Sequence, residues 1–296
     1  MRFLAEFVMK SRSRAIGSAV VAAFIPVLSL LSGAILALVW LRMGRREGLL
    51  VLFWVSLPGF YYLFAQNSPD VLLSLLATAL LAELLRRTQS WPQLLLSGVA
   101  LAGMVAIGFQ WLPNEIQDEF IRLLINEGGL VNYAELSSAD QERLTVMMGL
   151  LLNGVITAVQ LLLIYVSLFL ARWWQATLYN PGGFQEEFHS LRMPLWYSGA
   201  LLAALLMVSF GVQVLLPLLP VLVVPLLISG LSLVHGIVAI KQYNSFWLGM
   251  LYVLLLFALP YLSVLLVLIA MADSLMNFRH RLAPPPPPSH DGDGEA

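Results

Sequence analysis

Long apolar runs recur through most of this chain, and they leave few folds open to it. They fall at about 15–41, 49–65, 71–85, 93–112, 144–171, 197–216, 221–240 and 246–275, separated by polar stretches such as RMGRREG, QNSPD, RRTQSWP and KQYNS. A helix needs about 17–25 apolar residues to cross a hydrocarbon core, where every backbone polar group must be paired within the protein. The expected fold is all-α, a polytopic helical membrane protein of about 8–10 membrane segments. Composition agrees, with 11% charged residues and a mean hydropathy of +0.84. Soluble domains carry about a quarter charged residues.

The same composition removes several functions. A net charge of −1 with no basic arm gives nucleic acid nothing to bind. Cysteine is absent, which excludes disulfides, thiolate nucleophiles and cysteine metal sites. The start MRFLAEFVMKSRSR has the charged head of a signal peptide, but the apolar run behind it far exceeds an h-region of about 7–15 residues. A retained first segment is expected. Arg12 and Arg14 are not adjacent, so there is no twin-arginine signal.

Orientation follows from counting basic residues, which concentrate in cytoplasmic loops. With one span per apolar block, the basic residues divide eight against eight. With blocks 15–41 and 246–275 each folded back at their prolines, Pro26 and Pro260, the division becomes fourteen against two. Only Arg122 and Arg143 are then external, in the acidic segment 113–143. The N-terminus is cytoplasmic in this arrangement. Its cost is short arms of about 20 Å, tolerated only where protein buries them or they tilt or re-enter. A kinked single helix at either proline is the competing reading.

Residues 1–171 are expected to form a six-segment half, with amphipathic external helices in 113–143. Ile116, Phe120, Leu123 and Leu124 mark one of them, and Ser138 with Gln141 is expected to cap a second that runs into the next span. Phe3, Leu4, Phe7 and Val8 share one side of an interfacial helix. Residues 172–196 form a cytoplasmic elbow, 197–281 the C-terminal membrane helices, and 282–296 a Pro-rich acidic tail expected to be disordered.

Six segments with both ends inside, and the arginine-glycine turn of LVWLRMGRREGLLVLFW (38–54), resemble the S-components of energy-coupling-factor vitamin transporters. Those proteins dock on a membrane partner through small residues spaced by four, a spacing that Ala15, Ala19 and Ala23 reproduce. Through LYNPGGFQEEFHSLR (178–192), LVLIAMADSLMNFRHR (266–281) and GLSLVHGIVAIKQYNSFWLGMLYVLLL (230–256), nearly the whole chain resembles the YybS-like family of bacterial inner-membrane proteins. It implies a location in the bacterial inner membrane and a distantly S-component-like fold, and it names no substrate. The polyproline tail departs from the family pattern.

Within the elbow, Trp173, Trp174 and Tyr179 suit the headgroup zone, and Asn-Pro-Gly-Gly (180–183) breaks the helix. Phe184, Phe188 and Leu191 form a stripe, with Glu186, Glu187 and His189 facing elsewhere. The stripe reads as a connector between bundles or as a partner surface. His189, His235, His280 and His290 have no metal-binding spacing, and no phosphate loop or nucleophile elbow occurs. No catalytic, cofactor or metal residues are expected, and the chain does not read as an enzyme.

Ionisable residues inside the apolar blocks are the better clue, because they are costly there, and His235, Asp273 and Glu83 are candidate functional residues on that ground beside the structural readings that follow. Glu83 is expected to pair with Arg86 and Arg87. Asp273 is expected to pair with Arg279 or to cap a helix end. His235 is either a neutral side chain bonded to a neighbouring helix or a proton or ligand site. Asn153, Gln160 and Gln213 are expected to bridge helices. Two functions follow. One is binding or transport of a small hydrophobic or amphipathic molecule between the helices of 15–171, with a membrane-protein partner on the alanine face. The other is a non-transporting scaffold or assembly factor acting through 172–192 and a polyproline ligand. The lipid bilayer is a partner in both.

Overall fold

The computed structural model describes residues 2–25, 28–109, 121 and 136–282. Pro26, the helix expected around Ile116–Leu124 and the tail beyond Leu282 lie outside them, apart from Ile121 itself. The described residues form α1 (Arg2–Met9), α2 (Arg12–Phe24), α3 (Ser29–Met43), α4 (Arg45–Ala65), α5 (Asp70–Thr88) and α6 (Trp91–Phe109). They continue with α7 (Ser138–Tyr179), α8 (Gly183–Ser190), α9 (Leu195–Ser209), a 3-10 turn (Gln213–Leu215), α10 (Leu218–Ile240), α11 (Phe246–Phe257), α12 (Leu259–Met276) and α13 (Phe278–Leu282). Among these residues there are no strands. Five helices (α4, α6, α7, α10 and α12) are long and apolar enough to cross a membrane, or six if the bent pair α8–α9 is one span. The protein is an all-α, multi-pass membrane protein.

The first apolar block folds back on itself. Arg12 pairs with Glu47 at 2.6 Å, which sets the start of α2 beside the start of α4. The Tyr62 hydroxyl donates to the Phe24 carbonyl at 2.7 Å, which joins their far ends. α2 and α4 therefore run the same way, and α3 runs back between them. Both ends of block 15–41 lie on one face, here called the basic face. The short arm is paid for by burial: every residue from Ser32 to Leu41 of α3 is buried. α2, α4, α5 and α7 surround it.

Gly44 makes the next reversal with φ +86°, a left-handed conformation that favours glycine. Packing behind it is close, because a Cβ on Gly48 would run into the Trp40 ring. Lower in the bundle, Gly33 faces the Ser167 hydroxyl and lets α3 and α7 approach.

The last block also goes out and returns. Gly230 of α10 lies against the Leu266 carbonyl of α12, and Gly236 lies beside Arg279. α10 and α12 therefore run in parallel. The chain that leaves α10 at Lys241 must travel away along α11 and come back along α12. Its bend is at Ala258 (φ −126°, ψ 36°), with Pro260 in the first turn of α12, where the missing N–H costs least. α11 has no buried residue, unlike α3.

α7 has 42 residues, about 63 Å at 1.5 Å per residue, twice a hydrocarbon core. It runs from the far side into the bundle, as the sequence suggested. Its cap is Ser137, not Ser138: Ser137 is extended, and its hydroxyl oxygen accepts the Asp140 N–H at 3.2 Å. The same hydroxyl donates to the Asp140 carboxylate at 2.6 Å. α1 also sits differently. Ala5 and Val8 face the protein, while Phe3 and Phe7 are exposed, so Val8 does not share their environment.

Candidate functional site

Asn180 ends α7, and Gly182, at φ +92°, turns the chain into α8. α8 then meets α9 at 51°. This is the elbow, and the basic face is where it lies. Arg42, at the end of α3, sits 4.0 Å from the ring centroid of Tyr179.

The expected stripe is turned into the protein. Leu191 is 2% exposed, and Phe184 and Phe188 are half-buried against the core. Phe184 stacks on Phe188 with centroids 5.9 Å apart, and Phe169 of α7 meets Phe188 edge-on at 5.6 Å. Trp91, at the head of α6, stacks on Phe169 at 4.3 Å. Four rings from three helices thus close the joint.

Two expectations about the elbow fail. Glu187 does not face away: it accepts from Arg172 Nε at 3.0 Å and from the Trp91 indole at 3.0 Å. A carboxylate at this level is stabilised by the guanidinium and buried ring that it joins, which helical spacing alone does not reveal. Trp174 is wholly buried, whereas Trp173 and Tyr179 are exposed. On α7 its direction is that of Leu168 and Ala171, which point into the bundle. Gln185 and Glu186 form the exposed side of α8.

Beside the aromatic joint lies a polar junction of three chain segments. The Ser232 hydroxyl of α10 is shared between the carbonyls of Phe188 (2.5 Å) and Leu191 (3.0 Å), and it receives Arg279 Nη2 at 3.0 Å. Arg192 donates to the Ser274 carbonyl at 2.7 Å, and the Ser274 hydroxyl donates to the Met193 carbonyl at 3.0 Å. Asp273 is fully buried, and its Oδ1 caps the next segment by accepting the Phe278 N–H at 2.8 Å. Its Oδ2 lies 3.6 Å from Arg279 and 3.9 Å from Arg192. Both readings of Asp273, pairing and capping, describe the same residue. Two cations share one carboxylate here.

His235 shares a 2.9 Å hydrogen bond with Tyr252 of α11 and packs against Phe188, with His189 at 6.2 Å between ring centroids. That bond ties the otherwise unburied α11 to α10. The pKa of His189 is lowered by burial first and by the nearby Arg279 second. Glu83 pairs with Arg86 (3.1 Å) and Arg87 (2.6 Å), and it also accepts the Trp40 indole N–H at 2.8 Å. Asn153 and Gln160 bridge helices through the carbonyls of Ala106 and Asp70. Gln213 lies in the 3-10 turn.

Ala15, Ala19 and Ala23 are not a free docking face. All three are buried, because α2 packs on α3 and α4 of this same chain. The small residues serve close helix approach inside the protein. Helical spacing does not mark Arg172, Arg192 or Trp91 as site residues; it does mark Ser232, since Ser229, Gly230, Ser232 and Gly236 put small residues on one face of α10.

The junction holds segments together; it contains no nucleophile with an adjacent base. Among the described residues no three His, Asp or Glu side chains could hold a metal. No family model, curated protein or solved structure matches the chain.

Proposed function

We propose that this protein is a non-transporting scaffold of the bacterial inner membrane, a YybS-like protein with its N-terminus and basic face in the cytoplasm. One observation carries the reading. The elbow is fixed to α6, α7 and α10 by ring packing, the Arg172–Glu187 pair and Ser232, so Gln185 and Glu186 stand on a rigid ledge. A ledge held so firmly suits recruitment of a partner more than passage of a substrate. The middle of 15–171 supports it too, since buried α3, with Ile35, Leu36 and Leu38, occupies the axis between the surrounding helices. Orientation rests on the fourteen-to-two division of basic residues.

Two measurements test this. In the cysteine-free chain, Gln66→Cys should react with an impermeant maleimide from outside the cell and Arg45→Cys should not; the reverse overturns the orientation. A photocrosslinker at Gln185 should capture a discrete protein that Glu186→Lys loses. Native mass spectrometry that finds a stoichiometric small organic molecule, with no protein captured at Gln185, would overturn the scaffold.

A further inference from the structure

The basic face of the N-terminal half carries far more charge than its own carboxylates neutralise. Residues 2–88 place nine Lys and Arg side chains there against Glu6, Glu47 and Glu83. Those three are engaged by Arg2, by Arg12, and by Arg86 with Arg87. Lys10, Arg14, Arg45 and Arg46 are exposed and have no carboxylate partner among the described residues. The Arg12–Glu47 pair brings the four into one neighbourhood, at the starts of α2 and α4.

The height of these cations in the membrane can be read from α4. Arg45 and Arg46 are followed within about two turns by Leu49, Leu50, Phe53 and Trp54, all exposed. An outward apolar face of that kind meets acyl chains, so the two arginines stand where the acyl region gives way to headgroups. The end of α1 reaches the start of α4, where Val8 and Met9 line one pocket with Arg12, Glu47 and Leu50, while Phe3 is 78% exposed. Arg14 sits 5.1 Å from the centroid of the outward Phe7 ring. A short helix with cations at one end and aromatic rings outward is built for the headgroup boundary.

We propose that α1 and the starts of α2 and α4 form a binding surface selective for anionic phospholipid headgroups. Lys10, Arg14, Arg45 and Arg46 meet the phosphates, and Phe3 and Phe7 enter the boundary beside them. The proposal rests on the orientation given above, because the cytoplasmic leaflet is the one rich in anionic lipid. It does not depend on the scaffold reading. Charge complementarity and depth favour lipid over an acidic protein, which would not need the outward rings.

The test uses the full chain in nanodiscs of equimolar phosphatidylglycerol and phosphatidylcholine, with retained lipid read by native mass spectrometry. Phosphatidylglycerol should be retained in excess, and each of Lys10→Gln, Arg14→Gln, Arg45→Gln and Arg46→Gln should lower that excess about fivefold at low salt. All four positions are exposed, so the variants should melt as the parent does. High salt should erode the preference in the unmodified chain. As an independent readout, a dye on Phe3→Cys should shift to the blue in vesicles containing phosphatidylglycerol and not in pure phosphatidylcholine. Equal retention of both lipids by the unmodified chain overturns the proposal, as does an excess that survives all four substitutions. An acidic protein co-purifying in place of lipid also overturns it. Labelling of Arg45→Cys from outside would overturn the orientation and the proposal with it, whereas a missing phosphatidylglycerol excess overturns the proposal and leaves the orientation standing.

Discussion

Removing the Phe188 ring should loosen the joint between the two halves of the protein, by an amount the packing allows to be worked out. A fully buried Phe contributes about 1.5–3 kcal/mol, so a half-buried one contributes about 1. The ring also meets Phe184 at 5.9 Å, Phe169 at 5.6 Å and His235 at 5.4 Å. Such contacts are worth about 0.5–1.5 kcal/mol each beyond burial, and at about 0.7 each, toward the low end for a half-buried ring, the three add about 2 kcal/mol. Phe188→Ala should therefore cost about 3 kcal/mol, while Gln185→Ala, on the exposed side of the same helix, should cost less than about 0.5. Thermal unfolding in one detergent, followed by loss of monodisperse protein, reads the difference. At about 2–4 °C per kcal/mol, Phe188→Ala should melt roughly 6–12 °C lower. Phe188→Asp should be worse, since it also sets a charge against Phe169. A double-mutant cycle with Phe169→Ala should return a coupling of about 1 kcal/mol. If Phe188→Ala and Gln185→Ala melt together, or the coupling is zero, the elbow is not held by these rings and the rigid ledge has no basis.

Asp273→Asn should cost about 3 kcal/mol in the same melt, because it leaves Arg279 and Arg192 as neighbouring cations with no carboxylate between them; a loss under about 1 kcal/mol would mean that the arginines are already solvated. Gly230→Ala would push a methyl group into the Leu266 backbone carbonyl, whereas a Cβ at Gly199 meets nothing within 4 Å. The first should lower stability by about 1–3 kcal/mol and the second should be neutral or better, and equal melts would show that α10 and α12 are not in close contact. For His189, burial and Arg279 disfavour the charged ring, so its folded pKa lies below the unfolded value. Its contribution is then complete above that unfolded value, about 6.5, and is lost as pH falls toward and through the folded one. Melting temperature should drop on acidification below about pH 6.5, and less so in His189→Gln. A rise on acidification would contradict the placement of His189 beside Arg279.

The folded-back blocks could be anticipated because two independent features agreed on them. Proline interrupts both blocks, and only a reversal at each puts fourteen basic residues on one side. The interior of the bundle was harder to anticipate, for a physical reason. In a soluble helix the apolar stripe points inward, but in a membrane leucine is equally at home against lipid and against protein. α10 is apolar all round, and so is α12, so neither declares a face by its large residues. What marks the protein side is what lipid would not reward: Ser229, Gly230, Ser232 and Gly236 on α10, and Asp273 with Ser274 on α12. The alanines of α2 follow the same logic, as spacers against α3 and α4 where a docking face had been expected.

That rule separates the two folded-back arms, although both are short for a membrane. α3 carries Ser32 and Gly33 and has its full length from Ser32 to Leu41 enclosed. α11 runs FWLGMLYVLLLF, with Gly249 meeting nothing within 4 Å and no residue buried. Among the described residues, its side-chain hydrogen bond to another helix is Tyr252 to His235. A helix of 12 residues spans about 18 Å, so α11 reaches only part of the way through a hydrocarbon core of about 30 Å. It packs on α10 and α12 without burying a residue, so of the two short arms it is the one left open to lipid. The junction of Arg192, Asp273 and Arg279 fixes the returning end of α12 firmly.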